Sequence, residues 1–327
     1  MVTEFSFDTD FFDSQALTTP GQSAAHDSIL QLWRDHGVLV LTPEKYEPAI
    51  SLIKKFPTKY QQRWREAFQD NRTLLVNQDW GDFCDYNNFN ELTKLCSIFK
   101  TGVAEDEIGK ILSGTDDATI FCSKTGFELL GAGAISESLN FKASRLAGSN
   151  EIKFGTLANE IWSEKIEPLA KYTKNITIID RYCFTRIRET LNRGSINSGV
   201  LSVLKMLSST NRKFNVKIIS GAGEKGSDAY NEIVNYFDRN IVNNGPVRRG
   251  LNSLTLISNH DNFFRDYAHE RFIRFDMHVC EIGLGLQVFE SYPSPMTKFS
   301  LKYISDTLFA EREKLSSKEI LWREFPV

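Results

Sequence analysis

His269-Glu270-Arg271-Phe272-Ile273-Arg274-Phe275-Asp276, with Ile282-Gly283-Leu284-Gly285 close behind, is the stretch on which the fold reading turns. Read as a strand it alternates faces, so His269, Arg271, Ile273 and Phe275 share one side. An imidazole able to act as a nucleophile then stands beside a guanidinium whose fork can take two phosphate oxygens at once. Asp276 has the other parity and reaches the imidazole only where the strand ends or turns before it. Residues 254–258, 269–275 and 278–282 lie too close together for helical crossovers, which implies hairpin pairing at the end of a sheet.

Upstream the pattern alternates strand and helix. Residues 176–180 are a nearly all-apolar run ending in Asp180, as buried parallel strands often do. Val200, Val203, Leu204 and Leu207 share one helical face. Residues 214–220 read as a strand that runs out into Gly221-Ala222-Gly223, and residues 228–242 as an amphipathic helix. A last helix is expected over 304–314, and an earlier one over 154–172. The order β-α-β-α-β-β-β predicts an α/β fold whose mixed sheet is flanked by helices. A polar seam at Ala147-Gly148-Ser149-Asn150 divides the chain into expected domains 1–150 and 151–327.

The first of these is mostly helical around a few short strands. A strand ends in Asp8, Asp10 and Asp13; a helix over 27–36, a strand over 37–41 and a Thr42-Pro43 helix start follow. Residues 60–68, 90–99 and 105–112 read as helices, 73–76 and 118–122 as strands. A smaller α/β domain is the expectation.

Composition narrows the functions. At 327 residues the chain suits two domains, and its net charge of −3 means that any contact with a polyanion must come from a local basic patch. No apolar run is long enough to span a membrane, and the first residues lack the basic-then-apolar order of a secretory signal. The five cysteines are scattered without C-x-x-C spacing, which reads as reduced thiols in a cytoplasmic protein without a structural zinc.

The spacing around His269 resembles the H-x-K-x4-D-x6-G motif of the phospholipase D-like superfamily, with arginine in the lysine position. Residues 152–303 as a whole resemble the phospholipase D-like domain found at the C-terminus of MIT-domain proteins and in bacterial proteins. Ile178-Ile179-Asp180-Arg181-Tyr182, the His269 stretch, Ile282-Gly283-Leu284-Gly285-Leu286, Phe289 and Phe299-Ser300-Leu301 carry the likeness. The resemblance implies His269 as nucleophile or acid, Arg271 as phosphate clamp and Asp276 as orienter of the imidazole. Leu284 and Leu286 stand where the catalytic pattern has Ser and Asn. A second histidine would come from another subunit in a homodimer, or from His260 or His278. Arg181, Arg186 and Arg274, with Arg248, Arg249 and Arg265, are candidates for a phosphate-binding groove.

The opening of the chain resembles PIN-like nuclease domains, whose clustered carboxylates hold Mg²⁺ or Mn²⁺. Matching positions are Asp8, with Asp10 beside it, Glu47 on the helix after Pro43, and Asp116 or Asp117, with Asp82 and Asp85 competing. Helix capping by these acids is the competing account. Three functions follow as expectations: a metal-dependent nuclease of a bacterial conflict or antiphage system, cutting at the N-terminal acids; a dimeric, metal-free phosphodiesterase using His269; or an inactive scaffold that binds a phosphate ligand, lipid headgroup, nucleic acid or partner protein.

Overall fold

A computed structural model describes residues 1–108, 116–290 and 293–327. The chain divides into two compact units, Met1–Leu146 and Ala147–Val327. Both are α/β.

Strand alternation builds the first unit. Strands β1 (Thr3–Phe7), β2 (Gly37–Leu41), β3 (Thr73–Leu75), β4 (Thr101–Ala104) and β5 (Glu128–Gly131) form a wholly parallel sheet in the order β3-β2-β1-β4-β5. Phe5, Phe7, Leu39, Leu41 and Val103 enter one core with Trp33, Trp64 and Phe141. Val40, Ala104 and Leu129 enter the other with Trp80, Phe83 and Phe99. Period-two side chains on strands buried on both faces give this split. Truncating a buried tryptophan such as Trp33 or Trp64 removes about 3–5 kcal/mol. Helices α1 (Ala24–His36), α2 (Pro43–Leu52), α3 (Thr58–Asp70), α4 (Asp116–Thr125) and α5 (Leu139–Ser149) account for most of the remainder. His26 is wholly buried, accepts from Trp64 Nε1 at 2.9 Å and contacts Leu17 O at 2.8 Å through Nε2, so it is a core residue.

One expectation for this unit fails, and the helix expected over 105–112 lies partly outside the described residues. Residues 118–122 are helical, inside α4, because Ala118 and Phe121 are buried three apart while Ile120 is exposed. The strands actually present there, β4 and β5, are too short and glycine-bearing to stand out.

In the second unit β6 (Asn175–Ile179), β7 (Phe214–Ser220) and β8 (Leu251–Asn259) run parallel. β9 (Phe272–Phe275), β10 (His278–Ile282) and β11 (Phe299–Tyr303) extend the sheet antiparallel from β6, and β12 (Ile320–Glu324) closes the other edge antiparallel to β8. The order is β11-β10-β9-β6-β7-β8-β12. This is the expected mixed sheet, flanked by α6 (Cys183–Asn192), α7 (Gly199–Ser208), α8 (Asp228–Phe237) and α9 (Phe309–Ser316). Of the three strands expected to pair as hairpins, only β9 and β10 do; β8 lies beyond β6 and β7.

The decisive stretch is strand only from Phe272. The ladder with β6 ends at Ile179↔Phe272, because after Ile179 the chain turns away. His269 and Glu270 therefore lie exposed ahead of the strand, without the alternation expected of them. Every segment that leaves β6, β7, β8 and β10, and the one that enters β9, reaches the same edge of the sheet.

Candidate phosphate-binding edge

At that edge three quoted motifs converge. Asp180, one residue past β6, is 4% exposed. Its Oδ1 accepts from Tyr182 N at 3.0 Å and lies 3.7 Å from Arg271 Nε; its Oδ2 accepts from Leu286 N at 3.3 Å. Burial pushes the Asp180 carboxyl above its usual range, against the pull of Tyr182 N, Arg271, Leu286 N and Arg186. Arg271 also donates to the Gly283 carbonyl and places its guanidinium 5.0 Å from the Tyr182 ring centre. Gly285 has φ +58, and a Cβ there would stand 2.1 Å from Asp180 Oδ2 and 2.6 Å from Arg271 Cδ. Only glycine lets the β10 exit pass over this ion pair. The residual cavity, bounded also by Arg186, Gln287 and Glu290, is about 20 Å³, too small for a phosphate. Arg271 is thus clamped inward by Asp180 and a carbonyl.

His269 is exposed and makes no hydrogen bond among the described residues. Asp276 cannot orient it. It sits in the β9–β10 turn with φ +48, at the other end of the strand, where its carboxylate accepts from Lys174 N at 2.9 Å, Asn175 N at 3.1 Å and Asn175 Nδ2 at 2.9 Å. Aspartate suits that left-handed turn position. His278 is 1% exposed at the start of β10, also on the far edge. Arg274 is likewise structural: it bonds Thr177 Oγ1 at 3.2 Å, pairs with Glu313 at 3.3 Å and covers the Phe309 ring. Arg186 is held by Glu189 at 2.9 Å and Gln287 at 3.0 Å.

Beside the sealed pair an open groove of about 650 Å³ runs along the ends of β6, β7 and β8. Arg181, Arg188, His260, Ser227 and the Gly221-Ala222-Gly223 backbone line it. Arg181 pairs at 3.3 Å with Asp261, whose side chain is 75% exposed, and Arg188 at 2.6 Å with Glu232, 42% exposed. The crevice outside the carboxyl ends of parallel strands is where open α/β sheets take ligands. The sequence signal for it was the Gly221-Ala222-Gly223 exit together with Arg181; Arg188 was missed, since nothing in its local pattern sets it apart.

In the first unit the order of strands reverses between β1 and β4, and Asp8 follows β1 there. It is 2% exposed; Phe83 N donates to Oδ2 at 2.6 Å and Phe11 N to Oδ1 at 3.2 Å. Burial, outweighing those bonds, raises its carboxyl from 3.8 to about 6, with Asp10 and Asp82 adding to the rise. Desolvation pushes the thiol of Cys84, an exposed residue, up to about 11, with Asp10 adding to the rise. Asp85 Oδ2 accepts from Asp82 N at 3.3 Å. Glu47 is exposed; the α2 face toward Asp8 carries Lys45, Ala49 and Leu52. The side chains of Asp116 and Asp117 lie outside the described residues, although their backbone opens α4. Among the described residues no three histidine, cysteine or acidic side chains are grouped to hold a metal ion. The Mg²⁺ or Mn²⁺ that the resemblance implies would need Asp116 or Asp117 beside Asp8 and Asp10, since Glu47 is turned to solvent.

The folded-state pKa of Asp8 lies above its unfolded value, so the cost of ionising it grows from pH 4 to pH 6 and is fully present above that. At pH 7 that cost is about 3 kcal/mol, and replacing one bonded oxygen by an amide returns about 1 kcal/mol of it. Asp8→Asn is therefore expected to stabilise the chain by about 1–2 kcal/mol at pH 7 and to destabilise it by up to about 1 kcal/mol at pH 4. Urea unfolding at both pH values checks this; equal effects at the two would contradict it.

No protein-family model matches the chain, and no curated protein matches it. Among solved structures, an archaeal chromatin protein with a novel mode of DNA binding aligns at 14% identity and TM-score 0.26, over 53% of this chain and 54% of its own. A phosphatidylserine synthase from Haemophilus influenzae Rd KW20 aligns at 14% identity and TM-score 0.28, over 54% of this chain and 39% of its own. Argonaute from A. aeolicus aligns at 8% identity and TM-score 0.14, over 93% and 41%. The chain thus spans about half, or less, of the length of each, and likenesses this slight establish no family. No helix among the described residues is long and apolar enough to cross a membrane.

Proposed function

We propose that the second unit binds a phosphate-bearing polyanion, nucleic acid in the first instance, along the carboxyl edge of its sheet and does not hydrolyse it there. The observation that carries this is the open groove, in which Arg181 and Arg188 pair, among the described residues, with exposed carboxylates. Exposed pairs are worth about 0–1 kcal/mol, so a phosphate can displace Asp261 or Glu232 at little cost.

What supports a non-hydrolytic reading is that a covalent nucleophile needs a base or orienter within hydrogen-bond reach, whereas Asp276 is at the far end of β9 from His269. Arg271, turned inward onto Asp180, holds the scaffold of the groove in place of gripping the ligand. The test uses a fluorescein-labelled oligonucleotide and the full chain. Binding is expected to change less than about twofold in His269→Ala and in EDTA, as an exposed side chain outside the groove implies. No cleavage of the oligonucleotide or of bis-p-nitrophenyl phosphate is expected. Turnover by the wild type that His269→Ala abolishes would refute the non-hydrolytic reading.

A further inference from the structure

We infer that Lys45, lining the cavity that Asp8 also lines, ties the helix after Pro43 to the Gly81-Asp82 turn as an ion-paired joint, so that a fixed cation stands where the resemblance expects the metal-ligating Glu47. The Lys45 ammonium donates to the Gly81 carbonyl, lies 3.2 Å from Asp82 Oδ1 and stands 5.2 Å from the Trp80 ring centre. Its side chain is only 16% exposed. Lys45 and Asp8 line the same cavity of about 10 Å³.

The phase of α2 decides which side chain enters. Thr42 caps the helix by accepting from Lys45 N at 3.3 Å, and Pro43 occupies the first turn. Ala49 packs inward, so residues four before and three after it, Lys45 and Leu52, share its face. Glu47, two positions on, is turned to solvent. The one long polar side chain that α2 sends toward Asp8 is therefore cationic.

Three of the described acids here are also engaged. Both oxygens of Asp8 accept backbone N–H groups, Asp82 faces Lys45, and Asp85 accepts from Asp82 N. A hard divalent ion needs about six converging oxygens and would meet a fixed positive charge instead. The ammonium anchors α2 to the turn at Gly81-Asp82, next to Phe83, whose N–H holds Asp8.

Manganese titration followed by electron paramagnetic resonance, with thermal unfolding of the same full-length samples, tests this. The wild type should bind no Mn²⁺ saturably. Lys45→Met, which keeps the stem, should lower Tm by roughly 3–6 °C, Asp82→Asn should do the same, and the double variant should lose little more. Saturable Mn²⁺ binding that Asp8→Asn abolishes would overturn the inference, as would a Lys45→Met protein with wild-type Tm. Should Lys45→Met fail to fold, the joint is supported and the manganese comparison of wild type with Asp8→Asn still decides the metal question.

Discussion

Gly285→Val is expected to cost the chain about 4 kcal/mol or more, enough to leave much of it unfolded. Two effects add. A β-branched residue at φ +58 is strained by about 1–3 kcal/mol. Its Cβ would also stand 2.1 Å from Asp180 Oδ2, and that oxygen is fixed by Leu286 N. Relieving the clash means pushing a buried carboxylate off Arg271, and breaking a buried pair leaves an uncompensated charge. Gly226→Val supplies the comparison: φ there is +83, but nothing lies within 4 Å of its Cβ position. It should carry the strain alone, about 1–3 kcal/mol. Urea midpoints for the two variants separate crowding from backbone strain; equal losses would mean that the Asp180–Arg271 pair does not constrain the β10 exit.

Reversing both groove arginines, Arg181→Glu with Arg188→Glu, is expected to weaken oligonucleotide binding on the order of a hundredfold at low salt. Two lost phosphate contacts should also flatten the dependence of log Kd on log salt by about 2. Folding should survive, since both side chains are more than a third exposed and their partners are exposed as well. Arg274→Glu is the contrast. It breaks contacts with Thr177 on β6 and Glu313 on α9, so it should cost stability, about 1–3 kcal/mol. A double variant that binds as the wild type does would remove the groove from the account.

The second unit was the more legible half because β6 to β10 are mostly apolar and β7 and β10 run out into glycine turns. β6, β7 and the hairpin β9–β10 follow from local pattern. Asp180, Arg271 and Gly285 all lie inside quoted motifs, but their convergence, which turns Arg271 inward, is a long-range fact that local pattern does not give. What the pattern could not give was where β9 begins. That is set by its partner β6 stopping at Ile179, a long-range fact, and it decides that His269 has no strand neighbour. Asp276 was misread for the same reason: seven residues of sequence from His269 become the length of a strand.

In the first unit helix phase was the obstacle. Lys45 and Glu47 stand on one helix, and only the packing of Ala49 and Leu52 tells which of them looks at Asp8. Asp8 itself was legible as a strand-end acid, whereas its raised pKa depends on burial beneath the turn at Phe83, 75 residues away.

The most direct measurement is the affinity of the wild-type chain for a labelled oligonucleotide by fluorescence anisotropy, across about 50–300 mM salt. Saturable binding whose log Kd rises linearly with log salt, at a slope of at least about 2, is the expected result. Absence of binding at the lowest salt, or an affinity indifferent to salt, would contradict it.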